Sequence, residues 1–139
     1  MKQRDTIFDR LALKEKMFIN QEMQNLGGLH SELKKIEHMR QKLSDMATDS
    51  APKIQEQTAF FLRSSAELNH QIRDQLETAN NRSDHLTEEL NYLRHKIALS
   101  DRRREKSADK AEQIRRAHRD LSETRREDDD ASRRKNCSR

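Results

Sequence analysis

LETANNRSDHLTEELNYLRHKI, residues 76–97, is the stretch on which the fold turns. Leu76, Ala79, Ser83, Leu86, Leu90, Leu93 and Ile97 follow one another at steps of three and four without a slip. Such steps average 3.5 residues, the repeat along which helices wind into a left-handed coiled coil. Downstream the same steps pass through Ser100, Arg104, Ser107, Ala111, Ile114, His118 and Leu121. Upstream, Phe61, Ser65, Leu68 and Ile72 continue the stripe. Leu68 to Ile72 and Ile72 to Leu76 are both steps of four, so one stutter with local unwinding is expected there. The partner-binding seam read from this pattern comprises Leu68, Ile72, Leu76, Leu86, Leu90, Leu93, Ile97, Ile114 and Leu121.

The seam weakens beyond Ile97. Between Leu99 and Ile114 the chain offers a hydrophobic partner only Ala108 and Ala111. An aliphatic knob contributes about 1.5–3 kcal/mol when fully buried, and Ser or Ala gives little of that. Ion pairs at i,i+4, such as Glu112–Arg116, Arg116–Asp120 and Arg119–Glu123, add a few tenths of a kcal/mol each. Lys106–Lys110 and Arg115–Arg119 oppose them. By its own burial, residues 100–113 would not hold a dimer together.

Residues 5–46 read as a first amphipathic helix. Its apolar positions are Phe8, Leu11, Ala12, Phe18, Ile19, Met23, Leu26, Leu29, Leu33, Ile36, Met39, Leu43 and Met46. Gly27-Gly28 lies within it and predicts a bend or local fraying, where another backbone could come close, or else a true break into two helices. Met17, Met23, Met39 and Met46 line or flank the stripe, in a pattern that suits packing. ATDSAPK, residues 47–53, is the clearest punctuation: Asp49 or Ser50 offers a cap, and Pro52 fits only a first helical turn. The expected organisation is an amphipathic helix over 1–47, a linker at 48–53, a long coiled-coil helix over 54–126 and a disordered charged tail at 127–139. A helix over 52–126 would be roughly 110 Å long at 1.5 Å per residue.

Composition narrows the function. The 139 residues are 39% charged and 31% hydrophobic, with four Phe, one Tyr, no Trp and no Val. Few β-branched and turn residues leave little material for a sheet, and few aromatics argue against a thick core. Disorder competes on composition, but 29 basic residues nearly balance 25 acidic ones, which is not the high net charge disorder favours. No apolar run reaches the ~18–20 residues of a membrane span. The N-terminus has no continuous apolar signal segment, and Cys137 alone cannot form an internal disulfide. An intracellular, cytoplasmic location follows as the expectation, with cytoskeletal association one form of it.

No catalytic, cofactor or metal site is expected. The six histidines include no i,i+4 pair and have no cysteine near them, whereas zinc needs three or four convergent ligands. There is no Gly-rich phosphate loop and no nucleophile elbow. Residues 1–100 carry no net charge, so all of the +4 lies in 101–139. Arg102, Arg103, Arg104, Arg115, Arg116, Arg133, Arg134 and Lys135 are therefore the candidate contacts for something acidic. A basic leucine zipper does not fit, because its basic region precedes the heptads.

The expected fold is all-α and elongated: two long helices forming an antiparallel hairpin or a parallel coiled-coil dimer. Counting back from the turn, a hairpin covers 54–97, and the overhang begins near Ile97. The expected function is non-catalytic scaffolding in a cytoskeletal or tethering complex, with other helical subunits or a second copy as partners. The alternative is a binder of nucleic acid, an acidic filament or a membrane surface through 102–139.

Overall fold

A computed structural model describes residues 6–49 and 58–138. Every element among them is helical: α1 is Ile7–Asp49 and α2 is Ala59–Cys137. The chain divides into two units. Unit 1 takes residues up to Gln21 and from Ile97 onward, and unit 2 is Glu22–Lys96. In each unit the two helices pack against each other.

The start of each helix is capped by a threonine. At α1, the Asp9 amide donates to Thr6 Oγ1 (3.2 Å), and the Thr6 amide donates back to Asp9 Oδ2 (2.9 Å). This reciprocal pair satisfies backbone groups that the first turn leaves orphaned. At α2, the Phe61 amide faces Thr58 Oγ1 at 3.4 Å. The expected linker lies mostly outside the described residues: Asp49 ends α1, and Ser50, Pro52 and the expected start of the second helix at 54 are not described. Gly27 and Gly28 lie inside α1 with no positive φ, and a Cβ on either would meet nothing within 4 Å. Among the described residues, no backbone comes close enough to either to explain them.

In unit 2, α1 turns inward Glu22, Leu26, Leu29, Leu33, Ile36, Arg40, Leu43 and Ala47, each buried or half-buried. Across from them α2 turns inward Ser65, Asn69, Ile72, Leu76, Ala79, Ser83, Leu86, Leu90 and Leu93. Both rows advance by alternating threes and fours. The stutter is not needed. Asn69 is half-buried while Leu68 is 43% exposed, so the row runs Ser65, Asn69, Ile72, Leu76 in one period. Neighbour spacing outweighs hydrophobicity here, because the face of a helix is set by rotation per residue.

In unit 1, α1 contributes Phe8, Ala12, Glu15 and Ile19 in the same rhythm, with Phe18 half-buried beside them. From α2 come Ile97, Ser100, Arg104, Ser107 and Ala111. Ser100 is 3% exposed and Ala111 is fully covered, so the expected overhang from Ile97 is corrected. Cover extends to Arg115, and every described residue from Arg116 to Ser138 is exposed. The reason is register. Among the described residues of α2, Phe60, Phe61, Leu62 and Leu68 are exposed, and Ile72 is the first buried apolar residue, so pairing in unit 2 starts later along α2 than expected. The small residues of α2 are covered because the bulk comes from the facing helix, as Phe8, Phe18 and Ile19.

The C-terminal segment differs from its expectation as well. α2 continues as helix through Cys137 rather than ending near 126. Asp129 and Asp130 stand four residues before Arg133 and Arg134, an acid-before-base order that supports an exposed helix. Arg134 and Lys135 in the last turn complement the helix dipole.

Candidate interaction surface

The seam residues are placed unequally. Ile72, Leu86 and Leu90 are buried, and Leu76, Leu93 and Ile97 are half-buried against α1. Leu68, Ile114 and Leu121 are exposed, Leu121 by 62%. The strongest part of the seam is thus occupied by the chain's own first helix. The methionines move the other way: Met17, Met23, Met39 and Met46 are each at least half exposed, as corrections to an inward stripe. Glu15, Glu22, Arg40 and Asn69 take inward positions that hydrophobicity alone passes over. Only an unbroken count of threes and fours from Phe8 and Ile72 would have found them.

Ion pairs flank the packed rows. In unit 2, Arg82 Nη2 donates to Glu32 Oε1 at 2.7 Å, and Lys96 stands 3.9 Å from Glu22. Arg94 Nη2 lies 3.3 Å from His30 Nε2. Glu32 raises the Arg82 pKa through its hydrogen bond.

In unit 1, Arg115 Nη1 donates to both carboxylate oxygens of Asp9, at 2.8 and 2.9 Å, and its Nε donates to Glu112 Oε2 at 3.2 Å. Asp9 therefore caps α1 and grips α2 at once. The Arg115 hydrogen bond, helped by those of Thr6, holds the Asp9 carboxyl down at about 2. Glu112 also binds Arg116 and Arg119, and its pKa is lowered first by Arg115. The Lys110 ammonium sits 5.5 Å from the Phe8 ring centre, within cation–π range.

The candidate anionic contacts consequently split. Arg104 bonds Asp101 at 2.9 and 3.0 Å, Arg115 is held by Asp9 and Glu112, and Arg116 by Glu112. Arg102, Arg103, Arg133, Arg134 and Lys135 are exposed. Arg102 and Arg103 point outward while Arg104 is half-buried, so the three do not form one flat patch.

A shallow groove of about 400 Å³ opens in unit 2 beside the inner row. It is lined by Ile36, Met39, Asp74, Gln75, Thr78, Ala79 and Arg82. Among the described residues, no group of three or more His, Cys, Asp or Glu could hold a metal ion. None of their helices is long and apolar enough to cross a membrane. No protein-family model, curated protein or solved structure matches the chain.

Proposed function

We propose that the chain is an antiparallel helical hairpin of coiled-coil type that serves as a non-catalytic scaffolding subunit inside the cell. The observation that carries this is the matched pair of inward rows. Counted antiparallel from the Glu22–Lys96 contact, the unit 2 rows would match Leu26 with Leu93, Leu29 with Leu90, Leu33 with Leu86, Ile36 with Ser83 and Leu43 with Leu76. Counted antiparallel from the Phe8–Lys110 contact, the unit 1 rows would match Phe8 with Ala111, Ala12 with Ser107, Glu15 with Arg104 and Ile19 with Ser100. The polar pairs Glu32–Arg82 and His30–Arg94 fall on the two flanks of this register, where an antiparallel coiled coil carries its polar contacts. A parallel dimer with a kink at the connection leaves those intrachain pairs without a reason.

Helix-face recognition is the mechanism such a chain offers. The strongest part of its seam is filled internally, so assembly with cytoskeletal or tethering subunits uses the outer faces of α1 and α2 and the uncovered helix after Arg115. The decisive test introduces Glu32→Cys and Arg82→Cys in a Cys137→Ser background and adds a short thiol cross-linker. A hairpin gives an intramolecular bridge whose yield does not depend on protein concentration. Bridging between chains alone would overturn it. For the cellular role, a tagged chain is expected in large helical assemblies, and a freely diffusing 16.5 kDa species would overturn that part.

A second reading rests on the exposed Arg102, Arg103, Arg133, Arg134 and Lys135: a contact with nucleic acid, an acidic filament or a membrane surface. It requires binding that falls steeply with salt, as counterion release demands. Salt-independent binding would sink it.

A further inference from the structure

We propose that the groove face of unit 2 is where a second copy of this chain docks, two-fold to two-fold. The proposal rests on the hairpin reading above and names the surface and occupant that reading leaves open. The face is found by moving along the register from Glu32–Arg82. One heptad further along α1, and one heptad back along α2, are Met39 and Gln75, which the structure brings together in the groove. A second heptad reaches Met46 and Leu68. This flank therefore turns apolar toward the end of α1, with Met39 54%, Met46 50% and Leu68 43% exposed. The opposite flank, stepping from His30–Arg94, reaches Glu37 and Thr87, then Ser44 and Asn80, all polar. Toward the end of α1, one flank is therefore apolar and the other polar; the exposed Met23, a heptad before His30, lies at the far end of the polar flank. Met at an interface core with charges held to its rim is the usual composition of an association site.

The rim selects the occupant. On the α1 side, Lys35 and Lys42 stand four residues before Met39 and Met46, on the same face. On the α2 side Arg82 also lines the groove, but Glu32 holds it; the carboxylates left on that rim are Asp74, which lines the groove with His70 3.5 Å away, and Glu67, a heptad earlier and adjoining Leu68. A partner must therefore be acidic along one edge and basic along the other. This same face, turned by a two-fold that lays α1 of each copy along α2 of the other, has that pattern. Lys42 then meets the second copy's Asp74, and the methionines of both copies close over the groove. A helix of uniform charge would satisfy only one rim. An isologous contact also closes on itself and does not propagate into a fibre.

The test is sedimentation velocity on the full chain over a range of concentrations, with Lys42→Glu, Asp74→Lys, the two together, and Met39→Gln. The wild-type chain is expected at twice 16.5 kDa. Each single charge variant and Met39→Gln should weaken the dimer at least tenfold. The charge-swapped double variant should restore it, an outcome that only a self-complementary contact predicts. A monomeric wild type, or a dimer indifferent to all four variants, overturns the proposal. Circular dichroism confirms that each variant keeps its helix. The 32–82 cross-link separates the two levels: if it fails, the hairpin reading falls; if it forms in a monomeric chain, only the docking falls.

Discussion

Asp9 shows how much one side chain can hold. It accepts from the Thr6 amide and hydroxyl and from Arg115, and those bonds lower its carboxyl from the ordinary 3.8 to about 2. A depressed carboxylate contributes stability that is fully present above its unfolded pKa and is lost as pH falls through the folded one. The wild-type melting midpoint should thus fall between about pH 4 and about pH 2 more steeply than that of Asp9→Asn. Thermal melts followed by circular dichroism across that window check it, and parallel pH profiles would refute it. Leu86 gives the apolar counterpart. It is the largest fully buried side chain, so Leu86→Ala should cost about 2–5 kcal/mol. Leu121→Ala, on the uncovered helix, should stay within about 0.5 kcal/mol. Urea unfolding of both variants reads the contrast, and equal losses would mean that the chain buries Leu121 as well. Along the stripe of α2 the two leucines are equal members, and spacing alone does not separate them.

Helix identity was legible at the scale of the element. The steps from Leu76 onward mark α2, and the run from Phe8 to Leu43 marks α1. The two glycines were read as a bend or a break because Gly weakens a helix, yet α1 passes through them with nothing packed against either. Each site has an ordinary helical backbone and open space for a methyl group. Gly27→Ala and Gly28→Ala should therefore each stabilise by about 1 kcal/mol, seen as a rise in the melting midpoint. A fall would show that the glycines serve a contact with another molecule. The helix beyond residue 126, where a disordered tail is expected, differs for a related reason. Low hydrophobicity removes tertiary burial, but spaced ion pairs and a basic last turn still favour helix.

For the whole molecule, the test of register is Ser100. Read on α2 alone, Ser100 is a defect in a leucine seam, and a leucine there would repair it. Within unit 1 it is 3% exposed, and the proposed antiparallel register puts Ile19 across from it, so a larger side chain has little room. Ser100→Leu should destabilise by about 1–3 kcal/mol. Denaturant unfolding decides: a gain in stability would mean that α2 meets a different partner helix there. The same logic explains which candidate contacts the structure brings together. Arg115 was grouped with the free cations, but it belongs to the fold, because the Asp9 that holds it lies far away in sequence. No spacing rule connects the two.

The sequence by itself determined that the chain is built of two long helices and that α2 carries a 3.5-residue stripe, because periodicity is a local property of a helix. Tertiary structure decided where cover begins and ends, that Asn69 and not Leu68 turns inward, that serines and alanines can be core, and which arginines remain free. Those depend on the register between two segments distant in the chain. A side chain is buried by what faces it, and no stretch of sequence contains its own partner.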